Sequence, residues 1–175
     1  MNNNPEIGVD KGPFSFVIIT VSDKGAEGKR EDTTGPIISK LLTRVGFVKK
    51  ELIIIPDNKE LIKEKICYLA DELKVDLVVT NGGTGVSPED ITPEATKEVI
   101  DKEIPGMAEA MRSESLKKTP HAMLSRAVCG VRGSTLVVNL PGSPRGAKEN
   151  LEVIIPALPH AIEKIKGDPS DCAVL

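Results

Sequence analysis

Tryptophan is absent from this 175-residue chain, tyrosine occurs once and phenylalanine three times, so the interior has to be built from aliphatic side chains. Glutamine is missing too, while Lys, Glu and Ile are plentiful, a bias that hints at a heat-adapted source. Cysteine is scarce: Cys67, Cys129 and Cys172 stand far apart with no C-x-x-C pair. That excludes a disulfide framework and a zinc site, and fits a reducing, cytoplasmic setting. No stretch carries one sign of charge. The net charge is −3, and the densest cluster, Lys29-Arg30-Glu31-Asp32, cancels itself, so no nucleic-acid partner is expected. Apolar runs are too short to span a bilayer, and the opening MNNNPEIGVDKGP has neither a basic nor an apolar signal region, so neither membrane insertion nor a signal peptide is expected. No Ser-His-Asp, C-x-x-C or H-E-x-x-H arrangement supports a hydrolase or a zinc enzyme. His121 and His160 stand alone.

What is present is strand–helix alternation on the scale of one domain. We expect a loose leader over 1–13, a single domain over 14–167 and a tail over 168–175. Residues 14–21 (FSFVIITV) read as a strand buried on both faces. A polar loop follows over 22–32. Ile37, Ile38, Leu41, Leu42 and Val45 then recur at helical spacing, with Thr33 or Thr34 as cap and Gly46 as stop. Residues 48–55 form a second strand, and Ile62, Ile66, Leu69 and Leu73 mark an amphipathic helix. Residues 76–80 (DLVVT) are a third strand. Thr92-Pro93-Glu94 has the marks of a helix start, with hydroxyl cap, proline and acid in order. Another helix follows Pro105-Gly106, residues 135–140 (TLVVNL) are a further strand, and a helical stretch broken by Pro156 and Pro159 runs to Gly167. The pattern implies a three-layer α/β/α sandwich around a mostly parallel sheet. Three loops (22–32, 81–92, 141–144) leave carboxyl ends of strands and should share the rim where such sheets bind ligands.

The loop after the third strand, NGGTGVSPED, sets Gly82, Gly83, Thr84 and Gly85 ahead of two acids. It is neither a P-loop nor G-x-G-x-x-G. Successive glycine N–H groups can form an anion nest, with a helix start nearby adding positive dipole; a tight turn without ligand is the other reading. Asp90 could hold Mg²⁺ beside substrate phosphates, or simply bond its own turn. Asp57-Asn58-Lys59-Glu60 fits a variant capping box with Asp57 as the cap. Glu109 falls in the first turn of its helix, where the dipole favours an acid. Ser125-Arg126 could clamp phosphate or carboxylate, or form a surface salt bridge. Ser22-Asp23 read as ordinary loop residues.

VSDKG, IPDN, NGGTGVSPEDITPEAT, PGMAEAMR, LSR and NLPGSP occur in this order between about residues 14 and 166. Together they resemble the molybdopterin-binding domain of molybdenum cofactor biosynthesis, and the SDKG opening is nearer the MogA-type molybdopterin adenylyltransferases than the MoaB branch. The resemblance implies a compact α/β fold, usually trimeric, in which molybdopterin and ATP give adenylyl-molybdopterin and pyrophosphate with Mg²⁺. It implies catalytic acids at Asp90 and Asp57; we expect Asp90, together with Asp57, to hold Mg²⁺ on the substrate phosphates. Substrate-lining segments fall on Ser22, Asp23, Gly82, Gly83, Thr84, Gly85, Glu109, Arg112, Ser125, Arg126, Leu140, Pro141, Gly142 and Ser143. It also suggests the molybdenum-inserting enzyme of the same pathway as a partner. The chain has Asn81 where the family commonly has Thr. The alternative within the resemblance is a domain that binds or delivers molybdopterin without adenylylating it.

Overall fold

A computed structural model describes residues 13–169; most of the expected leader and tail, and Cys172, lie outside the described residues. The elements, in order, are β1 (Ser15–Val21), α1 (Asp23–Ala26), α2 (Thr34–Arg44), β2 (Val48–Ile55), α3 (Lys59–Cys67), a π-helical turn (Tyr68–Glu72), β3 (Leu77–Asn81) and α4 (Thr92–Lys97). There follow β4 (Lys102–Glu103), α5 (Pro105–Leu116), a 3-10 turn (Pro120–Leu124), β5 (Cys129–Arg132) and β6 (Thr135–Leu140). The last are α6 (Pro144–Ile154), a second 3-10 turn (Ile155–Ala157) and α7 (Leu158–Ile165).

The strands form one six-stranded sheet, ordered β2-β1-β3-β6-β5-β4. The first four in that order run parallel, and β5 and β4 join antiparallel at one edge. The sandwich and the mostly parallel sheet are as the sequence implies; β4 and β5 are additions.

Alternation along β1 divides the core. Phe16 and Ile18 face α2, α5, α6 and α7 through Ile38, Leu42, Met111, Leu151 and Ile162. Val17, Ile19 and Val21 face α3 and α4 through Ile62, Ile66 and Ala95, with Val99 just beyond α4. Each fully buried Ile or Leu contributes on the order of 1.5–3 kcal/mol, so aliphatic packing suffices without tryptophan.

The parallel strands become polar toward their carboxyl ends. Asn81 stands opposite Thr20 and donates from Nδ2 to its Oγ1 at 2.9 Å. Thr20 in turn donates to Asp32 Oδ2 at 2.7 Å. Asn139, opposite Thr80, donates to the hydroxyls of Thr80 and Thr96 at 2.9 Å each. All these groups except Asp32 are buried, and these bonds give each side chain a polar partner inside an otherwise apolar sheet. At the other end of β1, Asp76 accepts from Ser15 N and Oγ at 2.6 and 2.8 Å and pairs with Lys166.

The chain passes from β1 out to β2 and returns on the other side of β1 as β3. The loops after β1 and β3 therefore diverge, leaving a crevice at the carboxyl ends of the strands.

Candidate active site

Ser22 and Asp23 leave β1, and Pro56 and Asp57 leave β2 beside it. Asp57 Oδ2 accepts the N–H of Asp23 and Asp23 Oδ1 accepts the N–H of Asp57, each at 2.9 Å. Two acidic loops thus hold each other by their backbones. The helix cap expected at Asp57 falls instead on Asn58, whose side chain accepts from Leu61 N at 3.0 Å. A cap needs its oxygen two or three residues ahead of the donor, and Asp57 is one position too early. Burial pushes the Asp57 carboxyl above its ordinary range. The Asp23 N–H opposes the rise only in part, and the nearby charges of Asp23, Asp90 and Glu89 add to it.

Beyond β3 the chain turns on two glycines. Gly82 and Gly83 have φ of 101° and 63°, in the left-handed region, and a Cβ at Gly82 would overlap the carbonyl oxygen of Val21. Gly82 N donates to Leu140 O at 3.1 Å, which ties the turn to β6. Among the described residues no hydrogen bond uses the N–H of Gly83, Thr84 or Gly85, so three successive donors are available to an anion. The hydroxyl of Thr92 lies behind Gly83. It does not cap α4, which starts after Ile91 without a side-chain cap, and Thr92 Oγ1 is buried with no partner among the described residues.

Asp90 closes the loop on itself: its Oδ2 accepts from Ser87 N at 2.8 Å, and its N–H donates to Ser87 O at 3.0 Å. A Cβ at Gly85 would come within 2.8 Å of Asp90 Oδ2, so the acid folds back over the glycines. Asp57 Oδ1 approaches the same loop from the other side, 3.4 Å from where a Cβ at Gly83 would be.

Two cavities of about 460 and 470 Å³ meet here, and both are walled by Gly83 and Gly142. The first takes in Thr84, Gly85, Asp90, Arg112, Ser125 and Pro141; the second takes in Ser22, Asp57, Gly82 and Ser143. The site is therefore two rooms joined at the glycine loop, with Asp90 on the wall of the first and Asp57 on the wall of the second.

The family model described as a probable molybdopterin binding domain matches residues 17–160. The chain belongs to this family. It is 40% identical over 153 residues to the molybdopterin adenylyltransferase of Helicobacter pylori strain J99, covering 86% of this chain and 87% of that protein. It is 39% identical over 159 residues to the molybdenum cofactor synthesis protein cinnamon of Drosophila melanogaster, covering 90% of this chain but only 26% of that one. The crystal structure of the molybdopterin biosynthesis enzyme MoaB from Thermus thermophilus superposes with a TM-score of 0.84 at 50% identity, covering 90% of this chain and 99% of that one.

Within this molybdopterin-binding domain the residues singled out from sequence do not all reach the cavities. Asp23 acts on Asp57. Leu140 is fully buried and supplies a carbonyl. Ser143 does line the second cavity, but its hydroxyl is spent on capping α6 through Gly146 N at 3.2 Å. Glu109 lies beyond the first turn of α5, because the helix begins at Pro105; it is exposed and lines neither cavity. Arg126, read as a possible phosphate clamp, also lines neither, and turns to the back of the glycine loop. Sequence reasoning passed over Arg30 and Asp32 in the second cavity and His121 in the first. The Lys29–Asp32 cluster looks self-cancelling, but Lys29 pairs with Glu27, and Asp32 accepts from Thr34 N and Gly35 N at 3.0 and 2.9 Å. Arg30 is left facing the second cavity.

The donor set bears on Mg²⁺. No group of three or more His, Cys, Asp or Glu among the described residues could hold a metal ion by itself. Asp57 and Asp90 each commit only Oδ2 to a backbone N–H. Their other oxygens fit Mg²⁺ as it is commonly bound beside nucleotides, through one or two carboxylates plus substrate phosphates.

Proposed function

We propose that this chain is a molybdopterin adenylyltransferase: it joins the adenylyl group of ATP to molybdopterin and releases pyrophosphate. The observation that carries the reading is the pair of cavities that share Gly83 and Gly142, with Asp90 lining one and Asp57 the other. A transfer between two substrates needs two seats and one meeting point, and the free N–H groups of Gly83, Thr84 and Gly85 give that point its positive potential. Names such as molybdopterin adenylyltransferase among relatives at 40% and 37% identity favour catalysis over a purely binding module.

In the reaction a phosphate oxygen of molybdopterin attacks the α-phosphorus of ATP in line. A P–O bond forms, the bond to the β-phosphate breaks, and pyrophosphate leaves with the electron pair. No side chain becomes covalently bonded. The work of this chain is positioning and charge neutralisation. The loop N–H groups hold phosphate oxygens, Arg112 and Arg30 supply positive charge in the first and second cavities, and Asp57 and Asp90 hold Mg²⁺. The ion, when bound, neutralises the triphosphate and the departing pyrophosphate.

The family likeness extends the proposal to a homotrimer, to delivery of the product to a molybdenum-inserting enzyme, and to a cytoplasmic setting. No helix among the described residues is long and apolar enough to cross a membrane. The deciding experiment follows pyrophosphate release from molybdopterin and Mg-ATP by the wild type and by Asp90→Asn. Release by the wild type, with kcat down by roughly a hundredfold or more in the variant, is the expected result. No release by a wild type that still binds molybdopterin would make it a binding module. Full activity in Asp90→Asn would remove Asp90 from the mechanism.

A further inference from the structure

Arg126 uses its whole length on one segment. Its backbone N–H donates to Thr84 O at 2.9 Å, Nε to Gly85 O at 2.5 Å and Nη2 to Asp90 O at 2.5 Å. Nη1 pairs with Glu94 in the first turn of α4. The guanidinium therefore reaches the start of the acid loop, its end and the helix that follows. It does so from behind, lining neither cavity at the glycine turn.

Arg126 is itself held. Arg112 Nη1, from α5, donates to the carbonyls on either side of it, Ser125 O at 3.5 Å and Ala127 O at 3.1 Å. A line of contacts thus runs from α5 through the 125–127 backbone to the loop that carries Asp90. The loop's own bonds between Ser87 and Asp90 close the turn but do not fix where it sits.

We infer that Arg126 is a positioning residue, acting through Asp90 rather than on a substrate. The inference rests on the proposed adenylyl transfer for its kinetic consequences. Only a planar fork of donors can reach two carbonyls and a carboxylate at once; a lysine ammonium on a flexible stem cannot. A shift of about 1 Å in a catalytic group can cost on the order of a hundredfold in rate.

The test compares Arg126→Lys, Arg126→Ala, Asp90→Asn and the double variant Arg126→Lys/Asp90→Asn in pyrophosphate release. Expected is a kcat loss of about ten- to a hundredfold in Arg126→Lys, with the KM of each substrate within about threefold of wild type. The double variant should be no more than about threefold slower than Asp90→Asn alone, because both changes disable one element. A rise of about tenfold in either KM at unchanged kcat would make Arg126 a substrate contact and overturn the inference. So would multiplying losses in the double variant. Hydrogen exchange separates this inference from the functional reading it rests on. Faster exchange at the amides of Ser87 and Asp90 in Arg126→Lys is expected whether or not the wild type turns over. Unchanged exchange there would refute the clamp, and an inactive wild type with the expected exchange would refute only the adenylyl transfer.

Discussion

Asp57 and Asn58 are neighbours with opposite duties, and exchanging one at a time should separate them. Asp57→Asn keeps an oxygen to accept the Asp23 N–H and leaves the Asp57 N–H on Asp23 Oδ1, so both bonds between the two loops survive. What is removed is a charge that the fold disfavours. Burial, reinforced by Asp23, Asp90 and Glu89, raises the carboxyl pKa above its usual value of 3.8. A carboxyl raised by folding weakens the native state at pH values above that raised pKa, where it is ionised, and the penalty vanishes in acid. At neutral pH the variant should therefore melt within about 0.5 kcal/mol of wild type, or slightly higher. Its kcat should fall by about 3 kcal/mol of transition-state stabilisation, more than a hundredfold, if Asp57 holds the metal. Asn58→Ala reverses the pattern. It loses the bond to Leu61 N and about 0.5–2 kcal/mol of stability, while activity stays near normal. Thermal unfolding by circular dichroism and pyrophosphate release, on the same preparations, give both numbers for both variants. In the wild type kcat/KM, which reports the free enzyme, should also decline with falling pH before the ordinary carboxylate range is reached, and Asp57→Asn should lack that limb. If Asp57→Asn melted about 1 kcal/mol lower and kept its rate, the metal-holding role would fall and a structural one would replace it.

Thr92→Val should stabilise the protein, because it removes a buried hydroxyl with no partner among the described residues. The gain should be about 1 kcal/mol, or roughly 2–4 °C in melting temperature, and a lower melting point would mean that the hydroxyl has a partner. Asp76→Asn should destabilise by about 2–3 kcal/mol at neutral pH. Burial alone would raise the Asp76 carboxyl, but Lys166 and the Ser15 bonds outweigh it and hold it below 3.8. A depressed carboxyl contributes its stability above that value and loses it as pH falls through its folded pKa. The gap between wild type and Asp76→Asn should close there, and denaturant titrations across that range would show a constant gap if the pair were idle.

The central strands were legible because burial on both faces writes continuous aliphatic runs, as in FVIIT and TLVVNL. β4 and β5 were not: the first is two residues long, and the second, CGVR, has no run to recognise. The one-turn helix α1 was read as loop, while the starts of α2 to α5 were found to within a residue or two, yet that margin decides chemistry. A one-residue offset moved the cap from Asp57 to Asn58, freeing one Asp57 oxygen, and a helix start at Pro105 took Glu109 out of the first turn. The glycine loop and its acids were visible as a pattern, and the rim followed from strand ends. The duties of Arg126 and Arg30 were invisible, because each depends on contacts set by the fold and not by neighbours in sequence. Asn81, the departure from the family pattern, has its account in the fold: its amide belongs to the bond across to Thr20.

That bond and its counterpart at Asn139 bear on how this sequence can drift. A buried apolar position tolerates a volume-conserving exchange such as Ile for Leu at a cost usually below about 1.5 kcal/mol, since neighbouring apolar atoms can repack around it. Asn81 with Thr20, and Asn139 with Thr80 and Thr96, are different, since each side chain supplies what its neighbour lacks. Changing one alone strands a polar atom in a dry interior at a cost of about 1–3 kcal/mol, a large share of what a domain has to lose. Accepted changes at these positions should therefore arrive as matched pairs across adjacent strands. Selection for folded protein from a library randomised at positions 20 and 81 together should return correlated residues, whereas independent recovery at the two positions would count against the coupling. The strand ends nearest the active site then evolve as linked couples, while the aliphatic middle of the sheet varies position by position.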